Sequence, residues 1–155
     1  MESMIVQALP RRIHLVGIGG IGLSAIARVL AAWGHQVSGS DLRASPITEE
    51  LNRLGVTTYV GHAGSQVTGA ELVVISSAVP ETNAEVQAAR VAGIPVIKRQ
   101  QLLGLMMANS MGIAVAGTHG KTTTTAMLSV LLTRLGLSPT FIVGGIICEL
   151  GTNAQ

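Results

Sequence analysis

The stretch AVAGTHGKTTTTAM, residues 114–127, runs from an apolar segment through a Gly-Thr-His-Gly turn into a threonine-rich helix start. A second stretch of the same kind, VGIGGIGLSAIA, occupies residues 16–27. A glycine-rich turn between a strand and the N-terminus of a helix exposes backbone amides to which phosphate groups bind. The chain of 155 residues therefore contains two candidate phosphate-binding turns, and both predict an α/β fold.

The first turn matches the G-x-G-x-x-G pattern at Gly17, Gly19 and Gly22. The first glycine permits the tight turn, the second lets a pyrophosphate approach the backbone, and the third allows close helix–strand packing. Asp41 follows the next predicted strand, near the spacing at which a carboxylate binds a ribose hydroxyl. These features predict binding of a nucleotide diphosphate, with NAD as the default ligand. The alternative is a glycine turn and a strand-end aspartate with structural roles only.

Two further segments end predicted strands at the same edge of the sheet, Gly61-His62 and Ser76-Ser77-Ala78. Because ligands of open α/β sheets bind outside the carboxyl ends of the strands, both segments are additional site candidates. The alternative for His62 is a solvated loop histidine.

The second turn, Gly117–Thr123, departs from the general P-loop pattern because Val115 stands where that pattern has its first glycine. The groups that bind phosphate in such a turn are nevertheless present. Backbone amides across the turn can form an anion nest, Lys121 can reach the β- and γ-phosphates, and the Thr122 hydroxyl can join a Mg²⁺ shell. We therefore expect the second turn to bind the phosphates of a nucleoside triphosphate.

A repeated order of helix, glycine and β-rich run predicts βαβ units and a parallel sheet. The predicted strands are Ile13–Val16, Gln36–Gly39, Thr57–Val60, Leu72–Ser76, Val96–Lys98, Ile113–Ala116 and Thr140–Val143. The predicted helices are Gly22–Trp33, Pro46–Leu54, Asn83–Val91, Gln100–Met107 and Lys121–Leu135. The second unit stops after one strand, one helix and one strand, which cannot close a sheet alone. The fold class is thus α/β: a Rossmann-like parallel sheet domain, followed by the truncated start of a second α/β domain.

Composition excludes several classes of function. Charged residues make up 12% of the chain, the net charge is +2 without a basic stripe, and aromatic residues are 2%. These values argue against a nucleic-acid partner. One cysteine, Cys148, excludes a disulfide framework or a cysteine metal cluster. No apolar run is long enough to span a membrane, and the start MESMIVQALPRR lacks the order of a signal peptide, so we expect a cytoplasmic protein without a membrane partner.

Taken together, the two turns resemble the Mur ligases of bacterial cell-wall synthesis. The resemblance rests on GTHGKTT, on GIGGIG with the following serine, and on VSGSD, SSAVPETNAEV, IPVIKR, PTFIVGG and GTNA, so it covers essentially the whole chain. GTHGKTT is specific to the Mur ligases and related synthetases. Within the family, GIGGIG followed by serine favours the alanine-adding member over the member that attaches a tripeptide to the same sugar nucleotide.

The resemblance implies two nucleotide sites. A UDP-sugar site in residues 1–108, the Rossmann-like domain, would contain Gly17, Gly19, Gly20, Gly22, Ser40, Asp41 and Ser76. An ATP site in residues 109–155, the truncated start of a central P-loop domain, would contain Gly117, Thr118, His119, Gly120, Lys121, Thr122 and Thr123. Thr122 would also be a Mg²⁺ ligand, and Lys121 and Thr122 would be the catalytic residues of this part of the chain.

The family reaction implied by the resemblance is ATP-dependent amide-bond formation. The carboxylate of UDP-N-acetylmuramate is phosphorylated to an acyl phosphate, which the amine of L-alanine attacks. Family members continue for several hundred residues beyond the matched segment. We therefore expect this chain alone to be inactive, and the exposed apolar face of its incomplete second domain to favour self-association.

Two other classes of function remain open from the residues. An NAD-dependent oxidoreductase would explain Gly17–Asp41 but would leave Lys121 and the threonine run without a role. A nucleotide-sensing module without catalytic activity would use both loops for binding alone. Separate titrations with UDP-N-acetylmuramate, NADH and ATP distinguish these alternatives.

Overall fold

The computed structural model describes residues 9–108 and 110–155. Its first half is a five-stranded, fully parallel sheet with strand order β3-β2-β1-β4-β5. The elements in chain order are β1 (Arg12–Val16), α1 (Ile21–Ala32), β2 (Gln36–Asp41), α2 (Pro46–Arg53), β3 (Thr57–Val60), a 3₁₀ turn (Gly64–Val67), β4 (Leu72–Ile75), α3 (Ala84–Val91), β5 (Val96–Lys98) and α4 (Arg99–Met107). The α/β prediction and its parallel sheet are confirmed, and the predicted elements of this half differ by at most two residues at either end.

Alternation along the strands divides the apolar core between the two faces of the sheet. Ile13 and Leu15 of β1 pack in one cluster with α1, α2 and α4. Val16 lies on the opposite face of the sheet, which it shares with His14. There it packs in a second cluster with α3 and the 3₁₀ turn. Helices on both faces explain why the inner strands are apolar almost throughout, as in other parallel sheets.

The strand order of the sheet reverses at β1. The chain runs outward from β1 through β2 to β3 and then crosses back to β4 on the other side of β1. Ligands of open α/β sheets bind at this reversal of strand order. The first glycine turn follows β1 directly, so it lies at the reversal.

The second half contains α5 (Lys121–Arg134), β6 (Ile142–Ile147) and β7 (Thr152–Ala154). The predicted strand Ile113–Ala116 is wrong: this segment forms no strand, and Ile113 is 65% exposed. The prediction of a strand over Thr140–Val143 is also corrected, because the strand begins at Ile142 and continues to Ile147. A strand needs a hydrogen-bonding neighbour, and within the described part of the chain β6 pairs antiparallel with β7 alone.

Helix α5 exposes part of its apolar surface. Met127, Leu131 and Leu135, the residue after the helix, are 68%, 53% and 64% exposed, and Ser129 is the one fully buried residue within α5. The expected exposed apolar face is therefore present only in part, because Ala126 and Val130 pack against a small core formed by Phe141, Val143 and Ile147. Within residues 9–108 and 110–155, no helix has the length and apolar character needed to cross a membrane.

The β6–β7 hairpin packs against the first half of the chain. Strands β6 and β7 contact α1, and Ala154 belongs to the same buried cluster as Ile13 and Leu15. The division into domains 1–108 and 109–155 stays a prediction, and Asn109 at the proposed boundary lies outside the described residues.

Candidate functional site

The end of β2 supports the first glycine turn. The amides of Gly17 and Ile18 both donate to the carbonyl oxygen of Ser40, at 2.8 and 3.0 Å. Gly17 has a φ of +87°, a conformation that side-chain-bearing residues rarely adopt. Gly39 completes the fit, since a Cβ there would lie 2.5 Å from the Leu15 carbonyl oxygen and 2.6 Å from Cδ1 of Ile18. The turn is therefore fixed to β2 by hydrogen bonds and by close packing.

Asp41 contacts the first turn directly. Its Oδ2 accepts a hydrogen bond from the Gly19 amide at 2.9 Å, and a Cβ on Gly19 would lie 2.8 Å from the same oxygen. Glycine is thus required at position 19 by the approach of the aspartate. A ribose hydroxyl bound by Asp41 would share the carboxylate with this amide.

The start of α1 carries free amides and a nearby cation. Residues Ile21–Leu23 have no acceptor for their backbone N–H groups among the described residues, and the helix has no side-chain cap. A Cβ on Gly22 would lie 1.9 Å from Nη1 of Arg99, so the guanidinium lies against this first turn. Free amides at the positive end of a helix dipole, beside an arginine, favour an anion.

Ser76 lies on the other side of the crevice. Its Oγ is 3.3 Å from the position of a Cβ on Gly17, and it accepts a hydrogen bond from Ala78 N at 3.3 Å. The structure thus brings together all the residues predicted for the first site, from three adjacent strands: Gly17, Gly19, Gly20, Gly22, Ser40, Asp41 and Ser76.

The second turn is exposed and leads into α5. Gly117 and Gly120 have φ values of +146° and +80°, and Gly120 is the residue before the helix. Lys121 Nζ donates to the carbonyl oxygens of Gly117 and Thr118, so the lysine folds back over the turn. The amides of residues 121–123 have no acceptor among the described residues. This cradle has the free donors and the cation that nucleotide phosphates require, whereas the His119 side chain is exposed beside it.

The fit of the second turn to Mg²⁺ is partial. Thr122 Oγ1 lies 3.4 Å from the position of a Cβ on Gly144 in β6, so the hydroxyl sits between the helix and the strand. Within the described residues, no group of three or more histidine, cysteine, aspartate and glutamate side chains is placed to hold a metal ion. Mg²⁺ usually keeps several waters and needs few protein ligands, so a single hydroxyl beside nucleotide phosphates is compatible with it.

A buried polar cluster underlies the first site and was not predicted from the sequence. Glu85 in the first turn of α3 is fully buried, as are His14 of β1 and Ser40 of β2. Oε1 of Glu85 is 3.2 Å from His14 Nε2, and Oε2 is 2.6 Å from Ser40 Oγ and 2.9 Å from His62 Nδ1. The amide nitrogen of Gln66 also donates to Oε1 when oriented to satisfy both of its polar atoms.

These hydrogen bonds keep Glu85 ionised inside the protein. Burial alone would raise the pKa of Glu85, but hydrogen bonds from His14, Ser40 and His62, with the electrostatic attraction of His14, lower it below its usual value. A carboxylate accepts about four hydrogen bonds, and the four donors around Glu85 fill that capacity. The cluster therefore joins β1, β2, the loop after β3 and α3 beneath the first turn.

The fold and the two glycine turns define an α/β protein with two candidate phosphate-binding turns, each at the N-terminus of a helix. Comparison with known proteins identifies the family within this class. The sequence model described as "Mur ligase family, catalytic domain" matches residues 12–111. The chain belongs to the Mur ligase family, which confirms the resemblance carried by its motifs.

Two curated relatives of this chain have the same enzyme name. The chain is 54% identical over 145 residues to a UDP-N-acetylmuramate–L-alanine ligase of Laribacter hongkongensis, covering 94% of this chain and 31% of that protein. It is 55% identical over 144 residues to the enzyme of the same name from Geobacter sp. strain M21, covering 93% of this chain and 31% of that protein. The chain thus spans about a third of the length of the curated relatives it matches.

Two crystal structures share the fold. The UDP-N-acetylmuramate–alanine ligase of Thermotoga maritima superposes with a TM-score of 0.84 at 37% identity, over 93% of this chain and 34% of that one. A Neisseria UDP-N-acetylmuramate:L-alanyl-γ-D-glutamyl-meso-diaminopimelate ligase gives 0.85 at 33% identity, over 94% of this chain and 46% of that one. The fold alone therefore does not distinguish the amino-acid-adding from the peptide-adding enzyme.

Proposed function

We propose that this chain is the nucleotide-binding N-terminal part of an ATP-dependent ligase that joins L-alanine to UDP-N-acetylmuramate. The observation that carries the proposal is the pairing of two glycine turns, each leading into a helix with free amides, with Lys121 folded over the second. An NAD-dependent oxidoreductase needs only the first turn and leaves this lysine without a function.

The second turn would bind ATP, with the amides of Gly117–Thr123 and the Lys121 ammonium around its phosphates and the Thr122 hydroxyl toward Mg²⁺. Mg²⁺, when bound, neutralises charge on the phosphates. Phosphoryl transfer depends mainly on positioning and charge stabilisation, and Lys121 supplies a cation for both. In the family reaction this step makes an acyl phosphate from the muramic acid carboxylate, which the amine of L-alanine then attacks.

The peptide-adding ligase of the same family is the alternative enzyme. The names of both enzymes contain UDP-N-acetylmuramate, and their crystal structures superpose on this chain with nearly equal TM-scores, 0.84 and 0.85. The curated relatives with the alanine-adding name match at 54–55% identity, which supports the alanine-adding enzyme. A ligase assay with L-alanine and with the tripeptide, in a chain of the relatives' full length, separates the two.

The ligand preference of the first turn is tested by calorimetric titration of the 155-residue chain with UDP-N-acetylmuramate, NADH and ATP. We expect UDP-N-acetylmuramate to bind more tightly than NADH. Asp41→Ala should weaken UDP-N-acetylmuramate binding about tenfold, because a hydrogen bond to a charged group and the acceptor for the Gly19 amide are both lost. Asp41→Asn, which keeps an oxygen for Gly19, is the matched control and should lose less. Tighter binding of NADH than of the UDP-sugar would overturn the assignment.

The 155-residue chain by itself is expected to bind nucleotides without ligating. Lys121 and Thr122 provide one cation and one hydroxyl, and the described residues offer no carboxylate cluster for a metal ion. Nothing among them orders an incoming amine against an acyl phosphate, and correct orientation supplies much of the rate of such reactions. We expect no ADP release above background with ATP, Mg²⁺, UDP-N-acetylmuramate and L-alanine. Alanine-dependent turnover by this chain alone would contradict the expectation.

Self-association through the exposed apolar face of α5 stays a prediction. The exposed side chains Met127, Leu131 and Leu135 provide the surface that such contacts would bury.

A cytoplasmic location is likewise proposed, as for an enzyme that acts on soluble nucleotides.

A further inference from the structure

Two consecutive glycines interrupt strand β6 beside the second turn. The strand packs against α5 through a small buried cluster that contains Val143 and Ile147. Gly144 and Gly145 lie between these two residues, where the pairing of β6 with β7 is irregular, and Gly144 is exposed. Glycine inside a strand weakens it and often marks a bulge or the close approach of a ligand. The glycine pair therefore calls for a physical reason.

The backbone conformation does not require glycine at these positions. The φ values of Gly144 and Gly145 both lie outside the positive region in which glycine is favoured. An irregular strand pairing demands glycine only where φ is positive, and it otherwise accepts residues with side chains. The surroundings of the two Cβ positions give a different explanation.

Both Cβ positions face Thr122 at the start of α5. A Cβ on Gly144 would lie 3.4 Å from Thr122 Oγ1, and a Cβ on Gly145 would lie 3.8 Å from Thr122 Cγ2. Apart from the adjacent residues of the chain, no other described atom is within 4 Å of either position. The glycine pair thus leaves a space over the Thr122 side chain, with Gly144 on the side of the hydroxyl and Gly145 on the side of the methyl group.

The Thr122 hydroxyl is available to a ligand in this space. Further along α5, three hydroxyl groups donate to the carbonyl oxygen four residues earlier, those of Thr125, Ser129 and Thr133. The corresponding carbonyl for Thr122 is that of Thr118, which accepts from Lys121 Nζ instead. The Thr122 hydroxyl makes no hydrogen bond to any described residue, so its oxygen is open on the side of Gly144.

We propose that Gly144 is a positioning residue of the second site, because its missing side chain admits the Mg²⁺-bound triphosphate to the Thr122 hydroxyl. This inference rests on the proposed ATP site at the second turn. Mg²⁺ usually keeps several of its waters in protein sites, so a hydroxyl that binds it needs open space on its ligand side. A methyl group at position 144 would touch Oγ1 at an ordinary van der Waals distance and cover that side of the oxygen.

Alanine substitutions at the two glycines separate the hydroxyl side from the methyl side. In calorimetry with excess Mg²⁺, Gly144→Ala should bind ATP about tenfold more weakly than the wild type, as is typical when a residue behind a metal ligand is changed. Its ATP affinity should equal that of the wild type when EDTA removes the metal. Gly145→Ala is the matched control, because its Cβ meets only Cγ2 of Thr122, and it should keep the wild-type affinity under both conditions.

Thermal unfolding distinguishes this role from a structural one. Alanine in place of glycine lowers the conformational entropy of the unfolded chain, so Gly144→Ala should leave the thermal midpoint unchanged or raise it. A glycine needed only for the shape of β6 would give a lower midpoint and an equal loss of ATP affinity with and without Mg²⁺. That result would overturn the proposal.

A double-mutant cycle tests whether Gly144 acts through the Thr122 hydroxyl. Thr122→Val removes the hydroxyl and keeps the shape of the side chain. In the Thr122→Val background, Gly144→Ala should cause no further loss of affinity for Mg²⁺-ATP, whereas additive losses would show that Gly144 acts elsewhere.

The wild type itself separates this proposal from the proposed ATP site. If it binds Mg²⁺-ATP and Gly144→Ala binds equally well, the second site stands without Gly144. An ATP affinity of the wild type that Mg²⁺ does not change would also overturn the role of Gly144 while leaving the phosphate cradle in place. If the wild type binds no ATP, both proposals fail.

Discussion

Lys121→Ala should lower the affinity of the chain for Mg²⁺-ATP by about two orders of magnitude, because each charge-assisted hydrogen bond to a phosphate contributes about 1.5–3 kcal/mol. Lys121 Nζ donates to the carbonyl oxygens of Gly117 and Thr118 across the turn. The ammonium is therefore already held over the cradle that the free amides of residues 121–123 form. Calorimetric titration with ATP and Mg²⁺ measures the loss.

The chain offers a matched control, since Lys98 is its only other lysine. Lys98→Ala removes the same charge from the end of β5, outside the second turn, and should leave ATP affinity within about twofold, the range of an exposed surface charge. UDP-N-acetylmuramate binding should be unchanged in both variants. In a chain of the relatives' full length, Lys121→Ala should abolish turnover. Near-normal ATP binding by Lys121→Ala would refute a P-loop function for the second turn.

The first half of the fold was predictable because its signals are local. Apolar strands, glycines after helices and helix-capping residues each act within a few residues of their own position, and Ser45 caps α2 by accepting a hydrogen bond from the Thr48 amide. The error at Ile113–Ala116 has the opposite cause. That segment has strand composition, but forming a strand requires a partner elsewhere in the chain, and among the described residues β6 pairs with β7 instead.

The site was predicted unevenly for the same reason. The residues of a glycine turn follow one another in the sequence, so Gly17–Gly22 and Gly117–Thr123 could be found from the sequence. Arg99 and Glu85 reach the first site from α4 and α3, and no sequence spacing relates them to it. A signal for the buried cluster did exist: His14 interrupts the apolar run of β1, and Ser38 and Ser40 lie on one face of β2.

Glu85→Ala should destabilise the chain by about 3–5 kcal/mol, a large share of the 5–15 kcal/mol that is usual for a folded domain. The substitution removes the acceptor for His14, Ser40 and His62 while leaving their donors buried or partly buried. An unsatisfied buried donor costs more than the net gain of its hydrogen bond, which is why the expected loss is large. Denaturant unfolding at neutral pH measures the difference from the wild type.

The matched control is Glu81→Ala on the segment before α3. Glu81 pairs with Arg90, but the side chains are 57% and 52% exposed, so the loss should stay under about 1 kcal/mol. Acid provides a second test because the pKa of Glu85 in the folded chain lies below its usual value of 4.5. A lowered folded pKa stabilises the protein above pH 4.5, and that contribution disappears as the pH falls through the folded pKa. The stability gap between wild type and Glu85→Ala should therefore narrow below pH 4.5. A gap that stays constant with pH would show that folding does not shift the pKa of Glu85, and a gap that widens in acid would show that Glu85 is protonated in the folded protein.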